Sequence, residues 1–202
     1  VDIADTVIAD RGQRSVGIAA ADVDGDGWEE IYILNSDTYM GSKRRGDRLF
    51  ARRTDGWIDL FELSQNVENP NLTAGRSVAM VDIDNSGRYV AFVANYGGPI
   101  RAHHVPRDYR IRDIAGQRGI DLITGGRSVV WVPDASDYGA LLFGNENDGN
   151  VFYERQEDGT FVETTDLRGL AEYEHNARGI ALCDIDNDGL LDIVVGHWHG
   201  PH

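Results

Sequence analysis

The segment DVDGDGWEEIYIL, residues 22–34, crowds carboxylates into a glycine-broken loop and runs straight into an apolar stretch. DIDNDGLLDIVVG, residues 184–196, does the same. Like charges held this close repel, so such a loop implies a cation, and two copies in one chain imply a repeat. The same outline recurs with weaker loops in GRSVAMVDIDNSGRYVAFVAN (75–95) and GRSVVWVPDASDYGALLFGN (126–145). Anchored on the first loop position, the copies fall at Asp22, Asp82, Pro133 and Asp184, at intervals of 60, 51 and 51 residues.

The intervening halves repeat as well. DRLFARRTDGWIDL (47–60) matches NVFYERQEDGTFVET (150–164), and DYRIRDIA (108–115) is a weaker copy between them. Asp-Gly between alternating apolar runs marks a hairpin. Each period therefore predicts four short antiparallel strands, the pattern of a β-propeller blade. No segment runs at helical spacing; YRIRDIAGQRGIDL comes nearest and is broken by two glycines. The fold class is all-β, with about three and a half blades. These are either part of a larger ring or a small ring closed by its termini. The predicted units are 1–14 as the last strand of a preceding blade, 15–74 as a blade with a complete loop, 75–125 with a degenerate loop, 126–176 without loop ligands, and 177–202 as the first half of a blade with a complete loop.

In the first loop, Asp22, Asp24, Asp26 and Glu30 occupy alternate positions with Trp28 offering a backbone carbonyl, and Gly27 permits the sharp turn. In the second, Asp184, Asp186, Asp188 and Asp192 play the same parts around the carbonyl of Leu190 and the turn at Gly189. An all-oxygen, many-ligand, flexible set suits Ca²⁺ better than Mg²⁺ or Zn²⁺. An EF-hand is excluded: its twelfth position is Ile33 or Val195 here, and the flanks are strand-like rather than helical. The copy at 82 keeps Asp82, Asp84 and Ser86 but ends in Val90, so a third site there would be weak, or the loop a plain turn. The copy at 133 offers Pro133, Ala135, Asp137 and Leu141, which cannot form a cage. Two Ca²⁺ sites are expected and a third is possible.

These loops resemble FG-GAP repeats, the calcium-cage repeats of integrin α-subunit propellers. AGRSVAMVDIDNSGRYVAFVANY, GNENDGNVFYERQEDGTFVETT and ARGIALCDIDNDGLLDIVVGHWHGPH together resemble the cartilage acidic protein family across essentially the whole chain. The resemblance implies a secreted or surface-exposed propeller, commonly seven-bladed, that binds Ca²⁺ through the two complete loops and acts in adhesion or matrix contacts.

Composition narrows the partners. Over 202 residues the formal net charge is −15, which argues against nucleic acid. Lys43 is the only lysine among nineteen basic residues; an acidic, lysine-poor chain fits either molar salt or an ordinary protein of a GC-rich genome. No apolar run reaches membrane-spanning length, no signal peptide is present, and NLT (71–73) is an isolated sequon. The lone Cys183 is expected to be buried in a strand.

Other motifs carry less. Arg45-Gly46-Asp47 spells an adhesion tripeptide, but Asp47 aligns with Asn150 at a strand start, so a structural role suffices. His197, His199 and His202 have a spacing that could grip a transition metal, yet align with residues of a variable loop. His103 and His104 read as solvated loop residues, and Trp28, Trp57, Trp131 and Trp198 mostly as propeller packing. No nucleophile–base constellation appears, so no enzyme is expected. The function predicted is a calcium-binding extracellular propeller module for adhesion or protein interaction, with Ca²⁺ serving stability. The partner would be an extracellular protein or glycan surface, or a second copy through unpaired blade edges. The alternative is a carbohydrate-binding or carbohydrate-active propeller, a lectin or lyase using Ca²⁺ at its ligand.

Overall fold

The computed structural model describes residues 7–9, 12–133 and 135–199. Its strands follow the repeat. The first blade is β1 (Ser15–Ala21), β2 (Glu30–Asn35), β3 (Arg48–Arg53) and β4 (Gly56–Asp59), paired antiparallel in that order. The second is β5 (Gly75–Val81), β6 (Val90–Pro99), β7 (Arg101–His104) and β8 (Arg112–Asp113), followed by one helical turn, α1 (Ala115–Arg118). The third is β9 (Ile123–Val132), β10 (Ala140–Asn145), β11 (Val151–Arg155) and β12 (Phe161–Glu163). A two-stranded sheet of β13 (Ala177–Cys183) and β14 (Asp192–His197) follows. The strand expected within 1–14 lies largely outside the described residues, and the described part of that stretch carries no strand.

The architecture is that of a partial propeller. The first strands of successive blades contact in chain order, β1 with β5, β5 with β9, and β9 with β13. Between neighbouring blades the apolar faces interleave. Tyr32, Leu49 and Ala51 pack with Ala91 and Val93, while Phe92 and Ala102 pack with Val129, Phe143 and Phe161. Each fully buried aromatic there contributes about 2–3 kcal/mol of apolar burial. The helical turn falls in the stretch whose glycines broke the periodicity: Gly119 ends it at φ 77°, a left-handed C-terminal residue that glycine adopts at little cost.

One irregularity recurs in every blade. The first strand carries a bulge against the second, which leaves Val16, Arg76, Arg127 and Arg178 without a register partner. The three arginines are 51 residues apart and each reaches back to the preceding blade. Arg76 Nη1 donates to Ser36 Oγ (2.6 Å), the Arg127 guanidinium lies 4.6 Å from the Tyr96 ring centre, and Arg178 Nη1 donates to Glu146 (2.6 Å). Glu146 also pairs with Arg127 of its own blade and accepts from the Tyr39 hydroxyl. Blade junctions are thus stapled by the residue that the bulge turns outward.

A second polar knot is buried between the first two blades. Lys43 and Asp47 form an ion pair with both side chains fully buried. Asp47 also accepts from the Tyr32 hydroxyl (2.8 Å), the Asn35 amide (3.0 Å) and Asn71 Nδ2 (2.6 Å). The Asp47 of Arg45-Gly46-Asp47 is therefore a core residue that no partner surface can reach, in keeping with the structural role. Three expectations are corrected. His103 is not a solvated loop residue: it lies on β7, buried against Tyr32 and Phe61. Cys183 ends β13 but is exposed, because that sheet has no neighbouring strand over this edge among the described residues. Trp28 and Trp198 are exposed rather than packed.

Candidate metal centres

The loops that join the first two strands at 22, 82 and 184 share one backbone path. Their fourth positions, Gly25, Asn85 and Asn187, and their sixth, Gly27, Gly87 and Gly189, all have positive φ, between 55° and 90°. Glycine and asparagine tolerate that region, which explains why both loop types are rich in them. The path is held from within. The first aspartate accepts the amides of positions five and six: Asp22 from Asp26 and Gly27, Asp82 from Ser86 and Gly87, Asp184 from Asp188 and Gly189, at 2.8–3.2 Å.

The acid at position nine separates complete loops from the degenerate one. Glu30 accepts the amide of Val23 (3.0 Å) and Asp192 that of Ile185 (2.8 Å), which draws each carboxylate over its loop. Val90 occupies that position in the second blade and is buried in the core instead. Asp82 and Asp84 then spend their oxygens on loop amides, and hydrogen bonding from Ser86 holds the Asp84 carboxyl below its usual range. The same turn stands there without a third acid.

In the complete loops one oxygen from each of Asp22, Asp24 and Glu30, and likewise from Asp184, Asp186 and Asp192, lies within 4.8 Å of the others. These two clusters can hold a metal ion. Asp26 and Asp188 stand outside the tight triplets, each capping the amide two residues on, that of Trp28 or Leu190, at 2.8 Å. The side chains of Trp28 and Leu190, whose carbonyls the spacing assigned to the sites, are exposed.

The two centres differ in cover. Asp24 and Glu30 are buried, whereas Asp184 and Asp186 are exposed and Asp192 is half-buried at the start of β14. The second blade supplies the cover: the Tyr89 amide donates to the Asp22 carbonyl (2.9 Å), and the Arg88 stem packs against Gly25. Asp24 Oδ2 and Glu30 Oε1 are left buried without a hydrogen-bond partner. Burial, with the neighbouring carboxylates, raises the Asp24 pKa and pushes that of Glu30 up to about 7. Two buried, unpartnered carboxylate oxygens beside a third acid are costly alone and fit a hard cation with oxygen ligands. Arg53 approaches Asp24 and Asp26 only to 3.8 and 3.7 Å.

Among the described residues the histidines form no metal-ligating cluster. His197 lies against His175, and His199 stacks on Trp198; His202 is outside the described residues. What the sequence reading missed is an inter-blade cleft in front of His103. A nearby signal was readable, the lone lysine four residues before an aspartate.

Comparison with known proteins agrees with this geometry. The FG-GAP-like repeat family matches residues 136–195. Cartilage acidic protein 1 of Homo sapiens and of Mus musculus are each 38% identical over 96% of the chain, and that of Xenopus tropicalis is 36% identical over the same share. The chain spans about a third of the length of these curated relatives. Blade order, loop path and this identity agree: the chain is a partial β-propeller with an FG-GAP-like repeat, similar along nearly its whole length to cartilage acidic protein 1.

Proposed function

We propose that this chain is a calcium-binding module of an extracellular β-propeller, in which Ca²⁺ at the loops of 22–30 and 184–192 stabilises the blades. The observation that carries the reading is the pair of buried, unpartnered oxygens on Asp24 and Glu30, gathered with Asp22. A divalent cation there cancels the mutual repulsion of the acids and ties the start of β2 to the end of β1. The expected role is adhesion or protein interaction outside the cell or at its surface. The partner is an extracellular protein, a glycan surface or a second copy docked on a blade edge. The acidic character and the likeness to cartilage acidic proteins support this.

The test is a thermal melt of the chain in excess chelator, then in millimolar Ca²⁺ with Mg²⁺ as control, at low and at molar salt. A calcium-specific rise that shrinks in Asp24→Ala and in Asp188→Ala supports structural cages. No response to Ca²⁺ at either salt would mean that the loops are only turns.

A further inference from the structure

The blade junctions inside the chain repeat one set of contacts. Toward its successor a blade turns the last residue of its first strand, the second residue of the loop and the third residue of its second strand. These are Ala21, Val23 and Tyr32 in the first blade and Val81, Ile83 and Phe92 in the second, all buried. Toward its predecessor a blade turns the residue three before the end of its first strand. Val129 takes that place in the third blade and packs with Phe92 and Ala94 of the second.

The half-blade of β13 and β14 repeats the first of these faces without cover among the described residues. Cys183, Ile185 and Val194 hold the three positions and are exposed; Ile185 is 67% accessible where Val23 and Ile83 are 0% and 7%. β1 repeats the second face in the same way, with Ile18 69% accessible where Val129 is 5%.

The two open faces complement each other. Inside the chain the bulge residue of the later blade meets the residue after Asn35, Asn95 or Asn145: Arg76 meets Ser36, Arg127 meets Tyr96 and Arg178 meets Glu146. The open counterparts are Val16 and Trp198, both exposed and both apolar, although Arg178 and His199 flank the Trp198 ring. The loops are complementary too. Position seven of the second blade's loop, Arg88, packs its stem on Gly25 of the first. Position seven of the first blade's loop is the exposed Trp28, with the Arg52 guanidinium 4.7 Å from its ring centre. The uncovered loop at 184–192 is acidic, so an aromatic carrying a cation suits it.

We propose that the chain associates with a second copy head to tail, the first blade of one docking on the β13–β14 half-blade of the other. Ile18 seats against Val194 and Gly196, Val16 against Trp198, and Trp28 with Arg52 over the 184–192 loop. This rests on the reading of a propeller module that takes a second copy as partner, and it continues an interface the chain already builds between its own blades. The contact is heterologous: its two surfaces differ, so copies can add at both ends.

Sedimentation velocity of the full chain in millimolar Ca²⁺, up to about 100 µM, tests this. The weight-average mass should rise with concentration, and Cys183, open to a thiol reagent in dilute solution, should lose its reactivity as the mass rises. Ile18→Glu and Val194→Glu, both at exposed positions, should each hold the chain monomeric without lowering the melting temperature in dilute solution. Trp28→Ala should weaken association by about tenfold. Mixing the two glutamate variants should give a dimer and nothing larger, because each keeps the face that the other has lost; a symmetric contact of β14 edge to edge is not rescued by mixing. A wild type that stays monomeric, an unaffected Ile18→Glu or Trp28→Ala variant, or a mixture without dimer overturns the proposal. A monomer whose melt still responds to Ca²⁺ overturns it alone and leaves the calcium-binding module standing.

Discussion

Glu30→Gln distinguishes a cation cage from an acidic turn by acting in opposite directions with and without metal. Glu30 is fully buried, gives one oxygen to the Val23 amide and leaves the other without a partner. Burial first, and then the charges of Asp24, Asp26 and Asp22, move its pKa from 4.5 to about 7 against the effect of the Val23 bond. At about 1.4 kcal/mol per unit that is a penalty of a few kcal/mol, cut to about 1–2 because loop carboxylates relax toward solvent. The folded pKa lies above the unfolded one, so the ionised group opposes folding. The penalty is absent below pH 4.5, grows with pH and is complete above about 7. Glutamine keeps an acceptor for Val23 and removes the charge. Metal-stripped Glu30→Gln should therefore melt about 2–6 °C above wild type at pH 8, and level with it near pH 4. In Ca²⁺ the order inverts: wild type gains about 2.7 kcal/mol at a hundredfold excess over Kd, and the variant, short of a ligand, gains much less. Calorimetric melts at the two pH values, stripped and calcium-loaded, read all four states. A variant that melts below wild type when stripped at pH 8, or that gains as much from Ca²⁺, refutes the cage.

Two further outcomes follow from the inter-blade contacts. Asp47→Ala strands the buried Lys43 ammonium and should cost about 3–5 kcal/mol in urea unfolding; the intact chain should not compete with an Arg-Gly-Asp peptide in cell adhesion. Glu146→Gln removes a carboxylate whose pKa is held near 2 by hydrogen bonds from Arg178 and Arg127. That folded pKa lies below the unfolded 4.5, so its stabilisation is present above pH 4.5 and is lost as pH falls toward 2. The variant should be less stable by about 1 kcal/mol at pH 7, after allowance for screening, and the gap should close in acid.

What could be read from the sequence was local. Ligand spacing, the glycines after them and the Asp-Gly hairpins at 55–56 and 158–159 repeat within a few residues, and strand pairing follows those turns. What could not be read was set by neighbours. His103 beside His104 and Val105-Pro106 looks polar and loop-like, and only the approach of β2, with Tyr32, makes it a buried residue. The arginines at 76, 127 and 178 recur visibly, but their partners, Ser36, Tyr96 and Glu146, share no chemistry; the bulge, a backbone feature, equates them. Cys183 fails for the converse reason: an apolar strand position is buried only where another element covers it.

The same dependence explains why two nearly identical loops are physically unequal. The loop backbones at 22 and 184 superpose in their left-handed positions and in their internal hydrogen bonds, so sequence fixes the path and the ligand set. It does not fix the medium. The first loop has Arg88 and Tyr89 of the next blade against it, and there carboxylates lose water and need a cation; the described part of the second loop has no such cover, and its acids stay solvated. Desolvation strengthens attraction to a bound cation and raises the cost of leaving the site empty. The covered site should therefore be both the tighter one and the one whose loss unfolds a blade junction. A blade neighbour is thus part of the metal site without supplying a ligand to it, and selection on Arg88 and Tyr89 would act through affinity at Asp24 and Glu30.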